Sequence, residues 1–296
     1  MATWQWSYLV YQKTLDDSGT YTHDLPEKDK ISALFVDFQA TNYATADDAP
    51  SILTLISKLE VIAEGSKVLY SLYPITASFE EFIDTEKKPN HYITATASAT
   101  QHARFLILFG RYLCDEKYGL DTSVYTNVQF KMPYALTDKF VSGSAKITVR
   151  ALRPIAPEAV GFEGFVRRRD IYSFTTASSG EEVVELPLAL PYRRVYTYVQ
   201  GLTGISKIKV DINDGRLILL EDYFDDIKTW NIKIQPFPVA PGEEDPYQDC
   251  LILLDERWTE PLPSATYSKF KVIYTMNASG KTVYTGLEEY APLALS

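Results

Sequence analysis

At 296 residues the chain has room for two domains of ordinary size, each with its own core. A formal net charge of −10 argues against a general nucleic-acid binder, which needs a basic surface to displace counterions from phosphate. The 21 Tyr and 14 Phe favour strands over helices.

In chain order, Trp4 to Lys13 reads as a first strand. A turn at Ser18-Gly19 leads to an extended run ending at Asp24-Leu25-Pro26, where proline, lacking an N–H for the ladder, fits a strand end. The next strand alternates, with Ile31, Ala33, Phe35 and Asp37 on one face and Leu34, Val36 and Phe38 on the other. Ile56 to Val61 and Val68 to Leu72 flank a glycine turn at Ala63-Glu64-Gly65. Ser78 to Ile83 predicts a short helix, with Ser78 as N-cap and Glu81 closing a capping box. Phe105 to Phe109, Val124 to Met132 and Ile147 to Leu152 complete the first set of strands.

The same succession then returns. Phe165 to Thr176 answers Trp4 to Lys13. Ser179-Gly180 and Glu185-Leu186-Pro187 follow at an offset of 161, and Tyr192 to Val199 matches Ile31 to Phe38 at that offset. Ile205-Ser206-Lys207-Ile208-Lys209-Val210 repeats Ile56-Ser57-Lys58-Leu59-Glu60-Val61 at 149. Asn213-Asp214-Gly215 supplies the hairpin, and Asp222 to Ile227 supplies the helix, with Asp222 as its cap. Cys250 to Leu253 matches Phe105 to Leu108 at 145, and Thr266-Tyr267 to Lys271 matches Val124-Tyr125 to Lys131 at about 142. Thr282 to Leu287 closes the second set as Ile147 to Leu152 closes the first.

Matches in one order with a slowly drifting offset imply duplicated domains with different loop lengths. The expected fold class is all-β, two tandem eight-stranded jelly rolls with short helices in loops. The expected boundaries are 1–152 and 165–296, joined by a linker at 153–164 that holds Pro154, Pro157, Gly161 and Gly164. Thr41 to Leu55 and Gln235 to Asp249 are long loops, the usual carriers of contacts on a β scaffold.

Little in the chain points to chemistry. His23, His91 and His102 have no metal-ligand spacing, and the latter two fall in an Asn/Ala/Thr-rich stretch that reads as a loop. Nucleophile-elbow, Walker and dinucleotide motifs are absent. The acid pairs Asp16-Asp17, Asp47-Asp48, Glu80-Glu81, Glu181-Glu182, Asp225-Asp226 and Glu243-Glu244-Asp245 read as solvated faces or helix N-termini. The Glu243 to Asp249 loop could hold a structural Ca²⁺ through carboxylates and carbonyls, but its spacing fits no calcium motif. No catalytic, cofactor-binding or metal residue is assigned. Arg167-Arg168-Arg169 reads as a strand segment on a solvated or subunit-contact face, with Arg168 opposite its two neighbours. Cys114 and Cys250 sit one per domain, which favours free thiols and a reducing site of synthesis. The N-terminal residues do not form a signal peptide, and no stretch reaches the roughly 20 apolar residues of a membrane span.

The second unit carries a resemblance. Arg167 to Tyr172 leads through Ser179-Gly180 to Glu185-Leu186-Pro187 and Tyr192-Arg193-Arg194, then to Ile208-Lys209-Val210-Asp211 and Asp214-Gly215-Arg216. With the same order in the first unit, the chain resembles the double jelly-roll major capsid proteins of icosahedral bacteriophages with an internal membrane, the corticovirus type in particular. The resemblance implies a homotrimer whose six jelly rolls form a pseudo-hexameric capsomer, and localisation in the virion shell after synthesis in the host cytoplasm. It implies neighbouring capsomers, penton or spike proteins and minor capsid proteins as partners, an indirect relation to the viral membrane, no direct nucleic-acid binding, no enzymatic activity and no cofactor. The long loops at 41–55 and 235–249 depart from the family pattern. Two other readings remain: a receptor- or glycan-binding double β-sandwich such as a spike or fibre component, and a carbohydrate-active enzyme with an accessory domain.

Overall fold

A computed structural model describes residues 2–45, 49–234, 249–255 and 261–295. The chain divides into unit 1, residues 1–167 with 291–296, and unit 2, residues 168–290. The stretch expected to be a linker holds the end of one strand, a 3-10 turn at Pro157–Ala159 and the start of the next strand, and it lies in unit 1 together with the C-terminal residues.

Unit 1 is built from β1 (Trp4–Thr14), β2 (Ser18–Asp24), β3 (Lys30–Ile31), β4 (Ala33–Thr41), β5 (Leu59–Ala63), β6 (Lys67–Leu72), α1 (Pro74–Thr85), β7 (Thr100–Leu108), β8 (Leu120–Asp121), β9 (Val128–Ala135) and β10 (Lys146–Pro154). One sheet runs β1-β10-β4-β7, and β6, β5, β9 and β2 lie side by side opposite it. Alternation in β4 turns Leu34, Val36 and Phe38 inward, where all are fully buried. Phe38 meets Tyr134 of the facing sheet at 5.5 Å between ring centroids. The short β3 and β8 pair with each other outside the two sheets.

β11 (Gly164–Thr175) begins at the end of unit 1 and continues into unit 2. Unit 2 then contains β12 (Gly180–Glu185), β13 (Tyr192–Val199), β14 (Ile205–Ile212), β15 (Leu217–Tyr223), α2 (Phe224–Ile234), β16 (Cys250–Asp255), β17 (Phe270–Met276) and β18 (Thr282–Pro292). Here β16, β13, β18 and β11 are neighbours in that order, and the second sheet runs β12-β17-β14-β15. Val195, Val199, Leu251, Val283 and Leu287 from the first pack against Val184, Ile208, Val210, Val272 and Tyr274 from the second, with Phe224 and Ile227 of α2 closing one end.

The two strand orders are the same order. Replacing β1, β10, β4, β7 by β11, β18, β13, β16, and β6, β5, β9, β2 by β15, β14, β17, β12, converts one unit into the other. Each is an eight-stranded jelly roll, so the chain is a double jelly roll. The residue register repeats too: Val61 opposes Phe130 in unit 1, and Val210 opposes Val272 in unit 2. The expected equivalence of Ile56–Val61 with Ile205–Val210 is thus met strand for strand. Gly19 opposes Tyr134 as Gly180 opposes Met276.

Two alignments slip by one residue. Phe35 faces Leu106 and its counterpart Tyr196 faces Ile252, so Phe105 corresponds to Leu251 and not to Cys250. Phe35 also faces Arg150 while Tyr196 faces Gly286, so Ile147 corresponds to Val283 and not to Thr282. The helix start also moves. α1 begins at Pro74 after Tyr73, with proline in the first turn where a missing N–H costs nothing. Ser78 lies inside the helix and is not its cap. α2 begins at Phe224, and Asp222 accepts from the N–H of Tyr223. His102 lies on β7, not in a loop.

Candidate assembly surfaces

The arginine cluster of β11 is not a solvated face. Arg168 is 1% exposed, and its Nε donates to Glu288 Oε1 at 2.9 Å. Arg193 donates to Glu288 Oε2 at 2.5 Å, and Arg194 donates to Glu288 Oε1 at 2.9 Å. Asp255 lies 3.7 Å from Arg194 Nε. Beside this group Arg169 forms a two-pronged pair with Glu289, at 2.9 and 3.1 Å. Arg167 donates to the carbonyl of Val68. Burying charge is costly unless it is paired and hydrogen-bonded, and Glu288 accepts from all three arginines, with Asp255 as a second carboxylate beside Arg194. The sequence hid this cluster because its members come from β11, β13 and β18, far apart in the chain.

The outermost strand of the first sheet is plugged in each unit, by different chemistry. On β7, Tyr92 and His102 exchange backbone hydrogen bonds at 2.9 and 2.8 Å. The N–H of Arg104 donates to His91 Nδ1 at 3.0 Å, and that of Leu106 donates to Glu81 Oε2 at 2.8 Å. Burial raises the Glu81 carboxyl to about 7 and lowers His91 to about 4. On β16, the N–H of Ile252 donates to Asn231 Oδ1 at 2.8 Å, and Asn231 Nδ2 donates back to the Ile252 carbonyl at 3.1 Å. Such plugs keep a sheet edge from pairing with another chain.

Ser78 Oγ and His91 Nε2 are 2.9 Å apart, a spacing that suggests a nucleophile and its base. The proton directions forbid it. Nδ1 accepts a backbone N–H, so the ring proton sits on Nε2 and points at Ser78, whose hydroxyl donates to the Pro74 carbonyl. Neutral His91 has no free lone pair to take the serine proton, and the pair fastens α1 to β7.

Other acids singled out by sequence are placed as follows. Asp17 accepts from Ser142 Oγ and from the Gly143 N–H at 2.6 and 2.7 Å, bonds that hold it below the usual carboxylate range and tie two loops together. Glu80 is buried, and Glu81 is anchored to β7, so that pair is not a solvated face. Glu182 accepts from the Tyr172 hydroxyl, and Asp225-Asp226 occupy the first turn of α2. Asp47-Asp48 and Glu243-Glu244-Asp245, with nearly all of the suggested calcium loop, lie outside the described residues. Cys114 and Cys250 are free thiols. Among the described residues no helix is long and apolar enough to cross a membrane.

Two strands leave apolar side chains open. On β1, Trp6, Tyr8 and Tyr11 are 44, 54 and 67% exposed. Trp6 meets Phe35 edge-on at 6.4 Å, and the Arg150 guanidinium lies 4.4 Å from the centre of the Tyr8 ring. On β15, Leu217, Ile218 and Leu219 are 45, 42 and 37% exposed, and Tyr223 is open as well. No charge cluster, metal spacing or cleft had marked these strands in the sequence. Four consecutive apolar residues at 217–220 are the available signal, since a strand with one covered face alternates.

The sequence matches no family model and no curated protein. Solved structures do share the fold, end to end. The major capsid protein of Sulfolobus turreted icosahedral virus superposes with a TM-score of 0.74 at 14% identity, covering 98% of both chains. The major capsid protein P2 of bacteriophage PM2 gives 0.61 at 13% identity, over 97% of this chain and 98% of that one. The PBCV-1 virus capsid protein gives 0.64 at 9% identity, over 98% and 94%. The double jelly-roll fold of this chain is thus the one these viral capsid proteins share.

Proposed function

We propose that this protein is the major capsid protein of a membrane-containing icosahedral virus, forming homotrimers whose six jelly rolls make a pseudo-hexameric capsomer. The observation that carries the reading is the repeated strand order and register in a chain that spans, end to end, capsid proteins of the same architecture. Duplication suits the task, because two similar sandwiches repeated three times approximate six-fold symmetry and tile a facet. The protein acts without catalysis, resides in the virion shell, and meets neighbouring capsomers, minor capsid proteins and penton or spike proteins there. The net charge of −10 supports a role that leaves the genome to other proteins.

Light scattering on the purified protein and electron microscopy of particles from producing cells test this. Trimers in solution and the chain in a faceted shell are expected. A monomer at every concentration, with no particles, would refute the reading. Binding to a glycan array by such a monomer would favour a receptor-binding sandwich with the aromatic β1 as its stacking surface.

A further inference from the structure

The repeated strand order lets burial be compared strand by strand, and two counterpart pairs differ in opposite directions. In unit 1, β6 buries Leu69, Tyr70, Ser71 and Leu72, while its counterpart β15 exposes Leu217, Ile218 and Leu219. The first half of β11 buries Phe165, Val166 and Arg168, while its counterpart β1 exposes Trp6 and Tyr8 there; farther along, Tyr11 and its counterpart Tyr172 are both exposed. Both open strands are the last of their sheets among the described residues. Each therefore presents unpaired backbone N–H and C=O groups together with apolar side chains, the combination that recruits a further chain. This differs from β7 and β16, where Glu81, His91 and Asn231 occupy the corresponding groups.

We propose that β15 of one copy docks against β1 of a second copy of this chain, a heterologous contact that repeats around a closed ring. The inference rests on the trimeric reading and deepens it by naming the two surfaces. Three observations select a second copy as the occupant. Each chain exposes one strand of each kind, so in a closed ring every open β15 finds an open β1 and none is left over. The counterpart β6 and the first half of its fellow counterpart β11 are largely buried, so strands at both positions can be accommodated within a packed structure. Charge also agrees: β15 carries Asp222, and Glu221 paired with Lys207, just before its last residue, whereas Arg150 lies over the Tyr8 ring of β1.

The test uses the full chain and light scattering across a concentration series. Wild type is expected to be trimeric. Ile218→Lys and Tyr8→Lys should each weaken association about tenfold or more, while Val183→Lys, on the exposed strand β12 of the same sheet as β15, leaves it unchanged. A mixture of the Ile218→Lys and Tyr8→Lys chains retains one intact pairing and should form two-chain species that neither forms alone. A trimeric wild type whose two lysine variants associate normally overturns the pairing and leaves the capsomer reading standing. Loss in only one variant overturns the pairing as well. A monomeric wild type overturns both. If a lysine variant fails to fold, chains carrying Tyr8→Cys are mixed with chains carrying Ile218→Cys and oxidised. Disulfides joining the two kinds of chain support the contact, and their absence in a trimeric sample refutes it.

Discussion

Unit 1 and unit 2 share a strand order and a register, yet at matching positions they place opposite kinds of residue. Unit 1 sets Ala33 opposite Leu152, and unit 2 sets Arg194 opposite Glu288 at the same place. One step along, Phe35 opposes Arg150 in unit 1, whereas Tyr196 opposes Gly286 in unit 2. Inward-facing residues hardly differ in kind: Leu34, Val36 and Phe38 answer to Val195, Thr197 and Val199, all fully buried. The sandwich core constrains one face of each strand, and the face turned away from the core is free to diverge. In this molecule that second face is a buried ionic group in one unit and an open aromatic surface in the other.

The sharpest way to break the comparison is to remove one acid from each unit. Glu288→Gln leaves Arg168, Arg193 and Arg194 without the carboxylate they share, and unfolding free energy should fall by about 3–5 kcal/mol. Asp37→Asn in unit 1 removes a partner of His102 and Arg104 from a partly solvated site, and should cost at most about 1 kcal/mol. Urea denaturation of both variants checks this. Equal losses would mean that the ionic group of unit 2 is no more deeply committed than the surface pair of unit 1.

The edge plugs differ in their response to pH. The Glu81 carboxyl is raised to about 7 by burial, so between about 4.5 and 7 the folded state holds a proton that the unfolded state has lost. That contribution to stability is complete below about 4.5 and disappears as pH rises through 7. His91 works in the other direction. Its folded value near 4 is below the unfolded one, so its contribution is present above about 6.5 and lost as pH falls through 4. Glu81→Gln removes the first dependence and leaves the second. The variant should gain about 2–3 kcal/mol on wild type at pH 8 and nothing at pH 4. Asn231→Asp in unit 2 should introduce a slope of the Glu81 kind where none exists. Melting curves from pH 4 to 9 measure both, and a Glu81→Gln profile parallel to wild type would remove Glu81 as the cause.

The sequence disclosed most of what lies inside each sandwich and little of what lies on its second face. Offsets of 149 and 142 matched the Ile56–Val61 and Val124–Lys131 blocks to their counterparts, and the pairing of Val61 with Phe130 and Val210 with Val272 keeps both offsets. The slip at Cys250 has a physical cause. Cys250, Leu251, Ile252 and Leu253 are all buried, so no alternation fixes the phase of the strand, and a bulge between Val195 and Tyr196 adds a residue to its partner. Both helices are legible, but the reading enters α1 late, because Pro74 after Tyr73 starts it without a side-chain cap, and places α2 one residue early. The Glu288 group and the Glu81 and Asn231 plugs stayed hidden because each joins elements whose proximity only the folded topology creates. Asn231 left a faint trace, as asparagine is a poor helix former in a helix interior.

Position 286 offers a smaller contrast. A Cβ built on Gly286 would lie 1.9 Å from the Tyr196 ring, so the ring rests directly on the glycine. Gly286→Ala must displace a buried tyrosine and should cost about 1–3 kcal/mol by overpacking. At the matching position of unit 1, Arg150→Ala loses only the stacking on Tyr8 and Phe35, about 0.5–1 kcal/mol. The order of the two losses in thermal melts is the check. A reversed order would show that Arg150, and not the tyrosine on its glycine, holds this part of the fold.

At the hairpins the two units should behave alike. Gly65 and Gly215 have φ of 76° and 87°, and a Cβ at either would meet nothing within 4 Å. Replacement there strains the backbone without a clash, so Gly65→Val and Gly215→Val should each cost about 1–2 kcal/mol. The sites lie in separate units, so the double variant should lose the sum to within about 0.5 kcal/mol. Gly215→Val should lower the melting temperature and the yield of trimer while leaving surviving trimers able to enter particles. The hairpin carrying Gly215 leads directly into β15, which makes this the finest test of where the subunit contact ends. If Gly215→Val keeps full stability and trimers no longer form, the contact extends beyond β15 into the turn. If stability and yield fall together by equal amounts at both glycines, the turns serve folding, and the difference between the units resides in their strands.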